Sequence, residues 1–228
     1  MWEWLISPID AGRAHDMGTL LSWHGRFMVL AWGICAPLGV VVARYLKVLP
    51  WQDWPRQLDS QVWWVLHRVL QYGATALTVI ALIVILFEGR EYAAATHRLL
   101  GYLVVALTVA QVLGGWLRGS KGGPTEPSRA GDHFDMTARR LVFEYVHKIC
   151  GYAALVVSGA AILTGLWLAN GPVWMWLCLG LWWLALAVVA AVLQRRGWAV
   201  DTYQAIWGPD PALPGNRAPP IGFGVRRH

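Results

Sequence analysis

The chain has 228 residues, of which 57% are hydrophobic and 14% are charged, and its formal net charge is +6. This composition excludes an ordinary soluble domain, in which about a quarter of the residues are charged. The positive charge does not indicate a nucleic-acid partner, because in a membrane protein the basic residues set the orientation in the lipid. The sequence therefore predicts an integral membrane protein.

Five stretches are long and apolar enough to cross a bilayer, which takes about 20 apolar helical residues. In chain order, and numbered as helices one to five, they are residues 20–46, 61–87, 95–117, 139–168 and 173–193. The prediction is an all-α membrane protein in which helices one to four form an antiparallel four-helix bundle. The transmembrane domain covers residues 20–196, between an N-terminal tail (1–19) and a Pro/Gly-rich tail (197–228). The N-terminal tail has no signal-peptide pattern, so we expect no cleavage there.

The basic residues are distributed unevenly between the two sides of the membrane. Of the 19 Lys and Arg residues, four lie on the side of the N-terminus: Arg13, Arg26, Arg90 and Arg98. The other fifteen lie in the connectors between helices one and two and between helices three and four, in the C-terminal tail, and at the adjoining helix ends. Because cytoplasmic segments carry the excess of Lys and Arg, we expect an extracytoplasmic N-terminus and a cytoplasmic C-terminus.

Four of the seven histidines lie near the starts of these helices. They occur in the segments WHGRFMVLAWG (His24), HRVLQYG (His67), HRLLGY (His97) and HKICGY (His147). Helices one and three begin on the same side, so His24 and His97 lie at similar depth, and the same reasoning groups His67 with His147. In an antiparallel bundle each pair lies on diagonally opposed helices, and a flat macrocycle fits between the two imidazoles.

Haem is the cofactor that this arrangement favours. A single histidine in a membrane helix can bond between helices or relay protons, but four at two matched depths indicate metal ligands. Two imidazoles fill both axial positions of an iron, which favours electron transfer over oxygen binding. Cys35, Cys150 and Cys178 are isolated, without CxxC or CxxCH spacing, which argues against iron–sulfur clusters, disulfides and covalently attached haem. The sequence predicts two haem b groups, each held non-covalently by two histidines.

Glycines accompany two of the candidate ligands. Gly101 and Gly151 follow His97 and His147 by four residues, on the same helix face, where a side chain would occupy the space of the macrocycle. The alternative is that glycine lets membrane helices pack closely. That alternative is sufficient for four other glycines of the spans: Gly33, Gly39, Gly73 and Gly159.

A basic residue lies beside each candidate ligand at the membrane boundary. These residues are Arg26, Arg68, Arg98 and Lys148. They are candidates to bind the haem propionates, and the alternative is that they extend to the lipid interface and set the topology.

The remaining polar features have simpler interpretations. His15, His133 and His228 lie outside the spans, and we expect them to be solvated, although His133 is a weaker candidate to border a donor site. Glu144 and Lys148 are four residues apart and are expected to form an ion pair on the helix surface. Helix five contains neither histidine nor charge before its end, so it is a peripheral packing helix or a surface for a partner.

The segments that contain the histidines resemble the cytochrome b561 family, specifically the membrane domain of its bacterial and DOMON-associated members. The segment HGRFMVLAWGICAPLGVVVARYLK is similar to the first helix of that family, and HRLLGY and HKICGY match its later ligand helices. The resemblance covers about residues 20–170. It implies that His24 and His97 bind one haem b, and that His67 and His147 bind the other.

The resemblance also implies transmembrane electron transfer, in several members from ascorbate inside to an oxidised ascorbate radical or a ferric chelate outside. The expected activity is thus that of an ascorbate- or ferric-reductase-like oxidoreductase in a bacterial plasma membrane. The sequence departs from typical animal and plant members, which have six helices and substrate-contacting segments that are not identifiable in this chain. We also expect no N-terminal DOMON domain, and we therefore expect any extracellular partner to be a separate chain.

Three alternatives stay open from the sequence. The chain could be the haem-b subunit of a larger redox complex that exchanges electrons with quinone and a soluble dehydrogenase or cytochrome. A divalent-metal transporter is less favoured, because such sites also recruit carboxylates or thiolates near the midplane. In a structural anchor, the histidines would only form hydrogen bonds between helices.

Overall fold

The computed structural model describes residues 2–15, 17–88, 94–119, 121 and 137–228. Helices one to five are observed as Thr19–Tyr45, Gln61–Glu88, Ala95–Trp116, Ala138–Leu168 and Val173–Arg195. Each bound lies within two residues of its predicted position. The described ranges contain no β-strand, and they include the short helices Trp2–Ile6, Thr202–Trp207 and Pro214–Arg217. The predicted all-α fold with five membrane-spanning helices is confirmed.

The residue contacts divide the chain into two compact units, and all five long helices contribute residues to both. The first unit comprises Met1–Gly39, Val69–Thr108 and Ala153–Val189. The second unit comprises Val40–Arg68, Val109–Tyr152 and Ala190–His228. His24 and His97 lie in the first unit, and His67 and His147 lie in the second.

Small side chains form much of the core of the first unit. The buried cluster consists of Ala31, Trp32, Ala36, Ala74, Val104, Ala154, Ile162 and Leu179. Alanine at these positions lets neighbouring helices approach closely, as is typical of membrane helices. The one buried indole in the cluster is satisfied, because Trp32 Nε1 donates a 3.0 Å hydrogen bond to Thr78 Oγ1.

Helix one is interrupted by a π-helical segment, Val29–Cys35, just before Pro37. Proline has no backbone N–H, so the carbonyl of Gly33, four residues earlier, lacks its usual helical donor. Helix five supplies the replacement: the indole nitrogens of Trp182 and Trp183 lie 2.8 and 3.3 Å from this oxygen. Helix five therefore packs against helix one through a specific polar contact.

The N-terminal segment is bonded to the turn between helices four and five. The buried Asn170 has a φ of 48°, a left-handed conformation that asparagine tolerates better than most residues. Its Nδ2 donates to the carbonyls of Asp10 and Arg13, and its Oδ1 accepts the N–H of Asp10. The segment predicted as a tail is therefore anchored at this turn.

The C-terminal segment is likewise folded into the second unit. Residues 199–206 are all buried, and Asp201 forms a 2.8 Å ion pair with Arg227. The carbonyl of Val200 accepts a 2.9 Å hydrogen bond from Lys47 Nζ. Composition alone did not predict this packing, because a Pro/Gly-rich sequence is equally typical of an unpacked linker.

Candidate functional site

The first histidine pair, His24 and His97, lies in the first unit. His24 is in the second turn of helix one and His97 is in the first turn of helix three. Their ring centres are 6.3 Å apart and their planes are inclined by 80°. The structure thus brings together two imidazoles that are 73 residues apart in the sequence.

Both rings of the first pair are oriented by backbone carbonyls. The Nδ1 atom of His24 lies 3.0 Å from the carbonyl oxygen of Ala81, and that of His97 lies 3.0 Å from the carbonyl oxygen of Ala161. Since a carbonyl only accepts hydrogen bonds, each Nδ1 carries the proton and donates it. The Nε2 atom of each ring then retains the lone pair that a metal ligand requires.

The second histidine pair, His67 and His147, lies in the second unit. The ring centres are 6.2 Å apart and the planes are inclined by 77°. The ring of Phe143 lies 4.8 Å from that of His147. The Nδ1 atom of His147 is buried and has no hydrogen-bond partner among the described residues. Orientation of this ring therefore depends on packing.

The spacing within each pair fits a single metal ion held between the rings. An imidazole nitrogen lies about 1 Å from its ring centre and about 2 Å from a bound metal, so two axial rings have centres about 6 Å apart. The observed values of 6.3 and 6.2 Å match this spacing. The donor set of each pair, two neutral nitrogens, suits a six-coordinate haem iron.

The glycines that sequence reasoning selected have different surroundings. A Cβ atom on Gly101 would meet no described atom within 4 Å, whereas one on Gly151 would lie 3.8 Å from Gln111 Nε2. Open space at Gly101 is compatible with clearance for a macrocycle. Gly165 was not predicted from the sequence, and a Cβ there would lie 2.9 Å from His97 Cε1. The antiparallel course of helices three and four was the only signal that could have indicated it.

The four basic residues that follow the histidines in sequence differ in their surroundings. The guanidinium groups of Arg26 and Arg68 lie 5.0 and 5.6 Å from the ring centres of Trp23 and Trp64. Such contacts with interfacial tryptophans are typical of basic residues that extend to the membrane boundary. Arg98 is exposed in the first turn of helix three.

Lys148 belongs to a buried charge network, which corrects the prediction of a surface ion pair. Its Nζ lies 2.7 Å from Glu144 Oε2 and donates a 2.8 Å hydrogen bond to the carbonyl of Ile221. Glu144 is only 5% exposed and also accepts a 2.7 Å bond from Arg140. The i, i+4 spacing predicted the pair correctly, but it does not report burial, which here comes from packing against distant segments.

Lys47 adds a second buried cation to this unit, just beyond the end of helix one. Its side chain lies among polar groups of both signs, and burial is the main cause that lowers the pKa of Lys47 to about 8. The nearby charges of Lys148 and Arg44 lower it further, while Glu144 and Asp201 act in the opposite direction. The second histidine pair therefore shares its unit with several buried charges.

His15 and His228 do not join either pair. His15 and His228 are exposed, as expected. The ring of His15 contacts the carbonyl of Ala169, and that of His228 contacts Trp54. His133 lies outside the described residues.

Comparison with known proteins identifies several relatives. A cytochrome b561, DM13 and DOMON domain-containing protein of Arabidopsis thaliana is 32% identical over 199 residues, which are 84% of this chain and 20% of the relative. Ferric-chelate reductase 1 of Homo sapiens is 31% identical over 164 residues, 70% of this chain and 24% of the relative. The Bos taurus protein of the same name is 30% identical over 162 residues, with 70% and 24% covered.

The chain spans about a fifth to a quarter of the length of these relatives. No family model matches it, and no solved structure matches it. The five long apolar helices and the two histidine pairs are consistent with these relatives. The chain belongs to the cytochrome b561 family.

Proposed function

We propose that the chain conducts electrons across the membrane through two b haems. His24 and His97 would hold one haem, and His67 and His147 would hold the other. The observation that carries this proposal is the spacing of the rings, 6.3 Å in one pair and 6.2 Å in the other. Haem b, when bound, would supply an iron that takes up and releases one electron.

The residues of the chain would hold, orient and insulate these groups. In the first pair, the carbonyls of Ala81 and Ala161 keep the proton on Nδ1, so that each Nε2 would be free to bind the iron. Gly101 would leave room for the macrocycle, and Gly151 has the same proposed role at the second pair.

Four basic residues are the candidates to neutralise the haem propionates. They are Arg26 and Arg98 near the first pair, and Arg68 and Lys148 near the second. The apolar spans exclude water, which restricts side reactions of the reduced iron.

The orientation and the redox partners form the finer part of the proposal. The excess of basic residues supports an extracytoplasmic N-terminus, so that the first pair would face the outside and the second pair the cytoplasm. Two relatives are named ferric-chelate reductases, which supports a small-molecule acceptor such as a ferric chelate, with an ascorbate-like reductant as donor. A bacterial inner membrane stays a prediction, because the relatives named above are eukaryotic.

A second candidate is a haem-b subunit that exchanges electrons with quinone or a further redox subunit. It is favoured by a largely apolar crevice of about 220 Å³ in the second unit, bordered by His147, Phe143, Gln111 and Cys150. A quinone ring is flat and apolar, and such a crevice beside a candidate haem ligand suits it. Inhibition of haem reoxidation by a quinone analogue would favour this candidate over a ferric chelate as acceptor.

The test of the proposal is the dithionite-reduced minus air-oxidised absorption spectrum of the purified protein, with haem quantified as the pyridine haemochrome. We expect a low-spin b-type α band and about two haems per chain. His15→Ala, at an exposed histidine outside both pairs, is the control and should leave haem content unchanged. Folded protein that is made with adequate haem supply and shows no Soret band would contradict the proposal.

A further inference from the structure

One turn of helix four is in contact with the imidazole of His97. A Cβ atom on Gly165 would lie 2.9 Å from Cε1 and 3.3 Å from Nδ1 of this ring. Because real Cβ atoms are essentially never found below 3.0 Å from another heavy atom, any larger residue at this position displaces the ring or the helix. The absence of a side chain at Gly165 is therefore a condition for the observed position of His97.

The same turn also contacts the ring through polar atoms. The carbonyl oxygen of Ala161 lies 3.0 Å from His97 Nδ1, and Thr164 Oγ1 lies 3.4 Å from the same nitrogen. The single proton of the Thr164 hydroxyl is shared between the carbonyls of Ala160 and Ala161, which lie 2.9 and 3.0 Å from Oγ1. The threonine hydroxyl and the imidazole thus share the Ala161 carbonyl, which links the side chain of Thr164 to the position of the ring.

General helix packing does not explain Gly165. A Cβ on Gly159, six residues earlier in the same helix, would make only an ordinary contact of 3.9 Å with Trp183. At Gly165 all three of the nearest atoms belong to one imidazole. The requirement at this position is thus specific to His97.

We propose that Ala161, Thr164 and Gly165 form an imidazole seat, a set of positioning residues that fixes the plane and the Nδ1–H tautomer of His97. Its consequence for haem binding rests on the proposed function, but the seat itself is a property of the protein without haem. Because Nδ1 carries the proton, Nε2 of His97 keeps the lone pair that a metal ligand requires.

The seat is tested first in haem-free protein, produced in a haem-deficient host and labelled with ¹⁵N-histidine. The resonances of His97 are assigned by their loss in His97→Ala. We expect wild-type Nδ1 to show the protonated, hydrogen-bonded signature, and Gly165→Ala to lose it through displacement of the ring. Gly159→Ala is the matched control and should retain it. A Gly165→Ala spectrum identical to wild type would overturn the proposal.

Thr164→Val provides a second variant in case Gly165→Ala does not fold. It keeps the shape of the side chain and removes the hydroxyl, so the Nδ1 resonance of His97 should shift without loss of the protonated tautomer. An unshifted resonance in this variant would also contradict the seat.

The same variants are then examined with haem. Gly165→Ala should lower haem content from about two to about one per chain, or change the low-spin electron paramagnetic resonance signal of one haem only. Full content with both signals and both midpoint potentials unchanged would overturn the role of the seat in haem binding. If wild-type protein binds no haem, the proposed function fails, whereas the nitrogen spectra still decide whether the seat exists.

Discussion

The two histidine pairs have the same spacing but are held by different means. In the first pair, both Nδ1 atoms are bonded to backbone carbonyls of neighbouring helices. In the second pair, His147 Nδ1 has no such partner within the described part of the chain, and the ring is packed against Phe143. The same ring separation is thus obtained by hydrogen bonding in one unit and by aromatic packing at His147 in the other.

This difference has an electronic consequence if both pairs hold haem. A hydrogen bond from Nδ1–H to a carbonyl makes an imidazole a stronger donor to the metal, which stabilises the ferric state. The second unit also contains the buried cations Lys47 and Arg140 and the partly buried Lys148, with Glu144 and Asp201 as buried anions. Net positive charge disfavours the ferric state. Both effects are expected to give the second pair the higher midpoint potential.

Removal of one ligand from each pair has the largest expected effect. His97→Ala should lose the haem of the first pair, and His147→Ala that of the second, so each variant should keep about one of two haems. Pyridine haemochrome assays on purified, folded protein measure this. His228→Ala, at an exposed position, is the control. Unchanged content in either ligand variant would remove that histidine from the ligand set.

Burial of Lys47 in the second unit should make the free energy of unfolding depend on pH. The folded-state pKa of Lys47 is about 8, against an ordinary value of 10.5. Between these pH values the unfolded chain binds more protons than the folded chain, so stability rises with pH across this window. The rise amounts to about 3 kcal/mol at most.

Lys47→Met removes the titrating group and should abolish that part of the rise. Thermal unfolding of both proteins, followed by circular dichroism at pH 7 and pH 10, gives the comparison. An equal pH dependence in the variant and in wild type would show that Lys47 already has its ordinary pKa in the folded protein.

The potentials of the two haems provide the direct comparison of the pairs. A tenfold change in the relative affinity of a site for ferric and ferrous haem corresponds to about 60 mV, and we expect a separation of about this size. Redox titration of His97→Ala and His147→Ala assigns each potential to its pair. His97→Ala should retain only the haem of the second pair, which is expected to have the higher potential. Retention of the haem with the lower potential would contradict this expectation.

Replacement of the packing ring at His147 should have the smallest effect. Aromatic pairs contribute about 0.5–1.5 kcal/mol beyond the area that they bury, so Phe143→Leu should weaken haem retention in the second pair by about tenfold at most. Phe27→Leu, which removes a ring stacked on Trp23 in the first unit, is the matched control. Haem dissociation to an apoprotein acceptor measures both variants. Equal rates would show that the Phe143 ring does not hold His147.

Much of the fold was predictable because hydropathy is a local property of the sequence. The ends of helices one and four differ from their predicted positions by no more than one residue. The grouping of His24 with His97 followed from the direction of each helix alone. Gly165 and the Ala161 carbonyl could not be identified in this way, because their role depends on the axial alignment of helices three and four. The burial of Glu144 could not be predicted either, because it depends on packing against distant segments of the chain.

The pairing of Pro37 with Trp182 and Trp183 has a consequence for biogenesis. Pro37 cannot supply the α-helical donor to the Gly33 carbonyl of helix one, and hydrocarbon offers no hydrogen-bond donor either. The two indoles that satisfy it are about 150 residues further along the chain. The Gly33 carbonyl of the first span can therefore receive these two indole donors only after the fifth span has entered the bilayer.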